Sequence, residues 1–190
     1  MKLVFCGVGA LGSTAAVLCR SLGAELRLVD FDRVESKNLS AQAFVKQSLG
    51  KNKAEALKLQ LWNFWAVKAE AMPVRVGADN VAQVCGGGDL IIDCFDNQAS
   101  RQVLSTHARA TALPLVHAAL SADGRFGMVR WDEHFTADAE DAAGQATCEG
   151  GEHLPFIGLL SAALARTIQD FIARGERRGA MVSLSGITRI

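Results

Sequence analysis

Two kinds of apolar pattern alternate along this chain. Short, nearly continuous apolar runs at Lys2–Cys6, Glu25–Val29, Asp89–Cys94 and Leu113–Ala118 predict strands buried on both faces. Between them, apolar residues recur at helical spacing. Leu11, Ala15, Leu18 and Leu22 predict a helix over 10–22, with Gly23 as its C-cap. Ala54, Leu57, Leu61 and Trp65 predict a second over 53–65, and a third is expected over 98–110. Helix resumes at Pro155, a good first-turn residue, with Ile157, Leu160, Leu164, Ile168 and Phe171 on its apolar face. Further strands are expected at Val74–Val76, at Gly127–Trp131 and around Gly186. Strands that alternate with helices call for an α/β fold, a Rossmann-like mostly parallel sheet with helices on both faces. Residues 1–190 fit a single domain. The stretch from Asp132 to His153 lacks a period and reads as a long, mobile loop.

Composition narrows the classes. Apolar residues make up 49% and the formal net charge is zero, which suits a globular protein and gives no bulk-charge reason to bind nucleic acid. No apolar run reaches membrane-spanning length, and the opening MKLVFCGVG is too short and glycine-broken for a signal peptide. Cys6, Cys19, Cys85, Cys94 and Cys148 are odd in number and follow no framework spacing, so free thiols and a cytoplasmic location are expected.

Candidate chemistry gathers at the predicted strand ends. Gly7, Gly9 and Gly12 form a G-x-G-x-x-G turn between a strand and a helix, where backbone N–H groups and the helix dipole meet phosphate oxygens. The bland alternative is a turn that only packs helix on strand. Asp30 ends the second strand, where an acid meets ribose hydroxyls in such folds, or is an ordinary surface aspartate. Asp32 binds ligand, caps a turn or does neither. Lys53 opens a helix; it is either a phosphate-contacting charge or a solvated lysine. Asp96 follows a buried strand and suits Mg²⁺, while Asp96 and Asn97 also suit a turn that caps the next helix. Arg101, one turn into the next helix, contacts phosphate or pairs with an acid, and a structural ion pair is the favoured reading. Cys148, in the loop segment TCEGG, is a candidate acyl carrier or an inert thiol. A metal site from His134, Cys148 and His153 has no recognised spacing behind it.

Together the segments GVGALGS, VDFDRVESKNLSAQ, GKNKAEAL, DLIIDCFDNQASR and TCEGGEHLPFIGLLSAALARTIQDF resemble the ubiquitin-activating-enzyme-like family, which includes ThiF, MoeB and HesA. The resemblance runs from about Leu3 to about Phe171. It implies MgATP-dependent adenylation of the C-terminal glycine of a ubiquitin-like or sulfur-carrier protein ending in Gly-Gly, followed in some members by transfer to a cysteine. It also implies a homodimer. By resemblance the Gly7–Gly12 loop cradles phosphates, Asp30 takes the ribose, Asn38 and Gln42 lie near the phosphates, Lys53 contacts them and Asp96 holds magnesium. Cys148 falls where several members place a reactive cysteine.

Three departures stand out. The family's Asn-Leu-x-Arg-Gln segment is Asn38-Leu39-Ser40-Ala41-Gln42 here, so its triphosphate-neutralising arginine is Ala41. The paired CxxC motifs that bind zinc in many members are absent, so no structural zinc is expected. The family's N-terminal helical segment, with another ATP-contacting arginine, does not precede the first strand; truncation, a minimal branch or a partner's contribution all remain open. Two other functions compete: an NAD(P)-binding oxidoreductase, served equally by the glycine turn and Asp30, and a non-catalytic adaptor that recognises nucleotide or carrier without turnover.

Overall fold

The computed structural model describes residues 1–121, 123–135 and 153–190. Eight strands form one sheet in the order β3-β2-β1-β4-β5-β6-β7-β8. In chain order they are β1 (Lys2–Cys6), β2 (Glu25–Val29), β3 (Ala69–Met72), β4 (Leu90–Asp93), β5 (Leu115–Leu120), β6 (Phe126–Trp131), β7 (Ala180–Ser183) and β8 (Gly186–Arg189). The first five run parallel and the last three pair antiparallel. The helices are α1 (Ala10–Leu18), α2 (Lys53–Trp65), α3 (Val81–Cys85), α4 (Gln98–Thr111) and α5 (Leu154–Arg174).

Both faces of β1, β2, β4 and β5 carry core residues, as their near-continuous apolar sequences require. Leu3, Phe5, Leu26, Leu28, Leu90 and Ile92 face a core shared with α1, α2 and α5. Val4, Cys6, Val29 and Ile91 face a second core beneath α3 and α4. Alternation along each strand thus sends every second residue to a different helix layer. Each fully buried Leu or Ile contributes about 1.5–3 kcal/mol of transfer free energy.

The helix ends follow local chemistry. Asn52 caps α2 by accepting the Glu55 N–H, and Asn97 caps α4 by accepting the Ser100 N–H. Pro155 lies in the first turn of α5, and Gly175 ends it at φ +68°. The α5 stretch is long and apolar enough to cross a membrane, contrary to the sequence expectation. Here Ile157, Leu160, Leu164 and Ile168 are fully buried against the sheet, so the run serves as a core helix. Gly127 explains how closely α5 sits on β6, because a Cβ there would lie 2.5 Å from the Leu160 side chain.

Other boundaries differ from the sequence reading. The third strand is Ala69–Met72, not Val74–Val76. The first helix ends at Leu18 and passes into a 3-10 turn over Cys19–Ser21. Helix α3 was not expected. The stretch read as loop from Asp132 begins as a 3-10 turn over Asp132–His134 with Asp132 buried. Residues 136–152, with Cys148, lie outside the described residues, and so does the cysteine of the His134, Cys148 and His153 metal alternative.

Candidate functional site

The strand order places a topological switch beside β1. The chain leaves β1 through α1 to β2 on one side, and returns through α3 to β4 on the other. The helices after β1 and β4 therefore lie on opposite faces of the sheet, and in such folds ligands bind outside the C-terminal ends of strands at this point. Gly7–Gly12 and Asp96 follow those ends, and Asp30 follows the end of the neighbouring β2.

The three glycines have different reasons. Gly7 adopts φ +85°, and its N–H donates to the Val29 carbonyl oxygen at 2.9 Å. A Cβ at Gly12 would sit 1.9 Å from the Gly7 carbonyl oxygen, so α1 reaches the turn this closely only with glycine. Packing does not explain Gly9: a Cβ there would meet nothing within 4 Å. Gly9 is also the N-cap of α1, no side chain caps that end, and no acid lies in the first turn. The first-turn N–H groups thus have no capping side chain, with the positive end of the dipole behind them.

Asp30 is not an ordinary surface aspartate. It is buried, and its two oxygens accept the Val8 N–H and the Asp32 N–H, both at 2.9 Å. The carboxylate thereby ties the glycine turn to the end of β2 and keeps lone pairs for further donors. Burial pushes its pKa up, against the lowering effect of the two N–H groups and of Lys53. Lys53 is buried as well, with Nζ 3.2 Å from Oδ2 of Asp32. Asn52 holds this corner: its amide donates to the carbonyl oxygens of Asp30 (2.8 Å) and Asp32 (3.1 Å). The sequence reading missed Asn52, although an asparagine directly before a helical run is a recognisable N-cap signal.

Asn38 is buried in a capping box with Glu35, its Oδ1 accepting the Glu35 N–H at 2.8 Å. Gln42 is half-buried, and its Oε1 has no hydrogen-bond partner. Such an orphan acceptor suits a ligand hydroxyl or water, and the rotated amide would offer N–H to a phosphate. Ala41 is 1% exposed and packs into the core, so the position where the family carries arginine holds a small apolar group.

Asp96 is exposed in the turn after β4. Asn97 acts as the N-cap of α4, the turn-capping alternative named above. Arg101 does more than pair with an acid. It donates to the carbonyl oxygens of Phe95 and Ala118 while its Nε lies 3.7 Å from Asp93.

A polar chain under α4 escaped the sequence reading. Asp93 and His117 are fully buried, with Nδ1 of His117 2.7 Å from Oδ2 of Asp93. Nε2 of the same ring lies 3.0 Å from Oδ1 of Asp132, whose Oδ2 accepts from Nε of Arg109 at 2.6 Å. Burial alone would lower the His117 pKa, but its bonds to Asp132 and Asp93 outweigh that and raise it. Burial would raise Asp132, yet His117, Arg109 and Ser105 hold it down to about 2. The available signal was a histidine inside the apolar run LVHAAL, a position that demands buried partners.

Known proteins share this architecture. The ThiF family profile matches residues 1–169. Adenylyltransferase and sulfurtransferase UBA4 of Lodderomyces elongisporus is 30% identical over 175 residues, 86% of this chain and 38% of that protein. The SAMP-activating enzyme E1 of Haloferax volcanii is 34% identical over 122 residues, 63% of this chain and 45% of that protein. Among solved structures, E. coli MccB with AMPCPP and MccA superposes with a TM-score of 0.81 at 16% identity, covering 100% of this chain and 62% of that one. MccB with ATP gives 0.78 at 17% identity, covering 100% and 62%. These likenesses show the fold. The chain spans less than half the length of both named sequence relatives.

Proposed function

The chain belongs to the ThiF family, and from that premise we propose that it uses MgATP to adenylate the C-terminal carboxylate of a ubiquitin-like or sulfur-carrier protein ending in Gly-Gly. The observation that carries this reading is the open space at Gly9, backed by the uncapped N-terminus of α1, at the sheet's switch point. Phosphate oxygens fit there, because backbone N–H groups are the available donors and no side chain fills the place. The free lone pairs of Asp30 suit the ribose diol. Lys53, held by Asp32 at the helix start, supplies a positive charge toward the polyphosphate.

The proposed reaction is an in-line displacement. An oxygen of the carrier's terminal carboxylate bonds to the α-phosphorus, the bond from that phosphorus to the bridging oxygen breaks, and pyrophosphate leaves with the electron pair. Lys53 offsets charge on the departing phosphates, and the α1 N–H groups fix the reacting phosphorus. Asp96 is the residue that would hold Mg²⁺, which when bound supplies neutralisation of phosphate charge. Exposed in the turn after β4, Asp96 would offer one or two carboxylate oxygens to the ion, with phosphate and water completing its shell. The same reading includes transfer to Cys148: its thiolate bonds to the acyl carbon of the adenylate, the bond from that carbon to the phosphate oxygen breaks, and AMP leaves with the electron pair. A Cys148→Ser chain is expected to keep ATP–pyrophosphate exchange and lose any adduct that reducing agent cleaves; an adduct that persists removes the cysteine from the scheme. A homodimer also belongs to this reading, and a monomeric mass in sedimentation equilibrium would contradict it.

The direct test is thermal unfolding with MgATP, NAD⁺ or NADPH at matched concentrations. A ligand at a hundredfold its Kd adds about 2.7 kcal/mol, enough for a clear rise in midpoint. Stabilisation by MgATP is expected. Stabilisation by a nicotinamide cofactor alone overturns the proposal, because the glycine turn and Asp30 serve both nucleotides.

A further inference from the structure

We propose that His117 is a positioning residue that sets the turn carrying Asp96, joining it to the entry of the segment that follows β6. The bonds form a continuous path. Oδ2 of Asp93 meets Nδ1 of His117 at 2.7 Å, while Oδ1 of the same carboxylate accepts the Phe95 N–H at 3.0 Å. Asp96 is the next residue. On the other side of the ring, Nε2 meets Asp132, and the Phe135 ring stacks on the imidazole at 3.9 Å between centroids and 15° between planes. Arg101 closes the loop by donating to the Phe95 carbonyl oxygen and to Ala118 of β5. One ring thus ties β4, β5, the Asp96 turn and the Asp132–Phe135 segment together.

The chemistry of the ring explains why histidine stands here. Both nitrogens face carboxylate oxygens, which only accept. An imidazolium donates to both; a neutral ring donates to one and turns a lone pair on the other. The cationic form is therefore the one that holds the path intact. Other groups around it do not replace it. Arg101 and Arg109 on α4 already bind Asp93, backbone carbonyls and Asp132. Arg130 lies directly across β6 from His117 but is exposed. The thiols of Cys6 and Cys94 beside Asp93 are pushed up by burial and stay neutral. Losing the ring leaves two buried carboxylates short of a donor, with the Phe95 N–H bonded to one of them.

The inference rests on the adenylation reading for its consequence, though not for its geometry. An imidazole whose folded pKa lies above the ordinary 6.5 stabilises the fold fully below pH 6.5, and that contribution is lost as pH rises through the folded value. The experiment follows the full chain by NMR from about pH 5.5 to about pH 9.5, with MgATP affinity measured calorimetrically in parallel. The His117 ring is expected to titrate above 6.5, and the amides of Phe95, Asp96 and Phe135 to shift with the same midpoint. MgATP binding should weaken through that midpoint. His117→Asn, which keeps a donor for Asp93 alone, should weaken MgATP about tenfold at low pH and flatten the profile. Amides that ignore the titration, or parallel affinity profiles in the two chains, overturn the inference. If the unaltered chain binds no MgATP at any pH, the adenylation reading fails, and the amide titration still decides the role of His117. The same titration decides it if His117→Asn does not fold.

Discussion

Asp96→Ala is expected to abolish ATP–pyrophosphate exchange while leaving the unfolding transition where it is. The two halves have separate causes. Asp96 is exposed, and the turn around it is held by other groups: Asn97 caps α4, Arg101 grips the Phe95 carbonyl oxygen and Asp93 accepts the Phe95 N–H. Removing an exposed carboxylate from such a turn changes stability by about 0.5 kcal/mol or less. The same carboxylate is the proposed magnesium ligand. Losing a group that neutralises phosphate charge in the transition state costs roughly 10²–10³ in turnover, by analogy with other electrostatic stabilisers. The assay is pyrophosphate exchange with a Gly-Gly-ended carrier, alongside urea unfolding. Exchange at the unaltered rate would remove Asp96 from the site. Parallel loss of exchange and stability would make it a fold residue instead.

Gly9 and Gly12 are expected to separate when each becomes alanine. Gly12→Ala brings a Cβ to 1.9 Å from the Gly7 carbonyl oxygen, and backbone on backbone has no flexible end that can give way. Overpacking of this kind costs about 1–3 kcal/mol or more, so the unfolding midpoint should fall. Gly9→Ala adds the same methyl group to open space, at a φ of −75° that carries no left-handed strain. Its unfolding transition should stay near that of the unaltered chain, but stabilisation by MgATP should disappear because the methyl stands in the phosphate's place. Thermal unfolding of both chains, with and without MgATP, measures each effect. A Gly9→Ala chain that MgATP stabilises as strongly as the original would mean that phosphate does not approach through that turn.

Much of this arrangement was legible from local pattern. The glycine turn between β1 and α1, the buried strand before Asp96, and the helix starting at Lys53 were all read from periodicity and punctuation. Each is determined within a few residues of itself. The misplaced third strand shows where that stops. Val74–Val76 has the β-branched residues a strand prefers, and Ala69–Met72 does not. Yet β3 is an edge strand whose register on Leu26–Val29 depends on where α2 releases the chain, at Ala66 in a left-handed conformation. Pro73 follows directly, and without an N–H it does not continue the ladder.

The burial of Asp30 and Lys53 was likewise beyond reach of the sequence. Spacing alone left Lys53 as a solvated lysine; the fold turns it onto Asp32 because Asn52 clamps the carbonyls of Asp30 and Asp32 from the far side of an intervening loop. The His117 path is the extreme case. Asp93, His117 and Asp132 come from three separate elements, and only Asp93 falls within one of the motif segments, DLIIDCFDNQASR. The sequence by itself determined the strand–helix alternation, the glycine turn and the polar residues at strand ends, because those depend on neighbours along the chain. Only the tertiary structure decided which of those polar groups are buried, which are paired and which face open space. Charge pairing and solvent exclusion depend on contacts through space, and no local pattern records them.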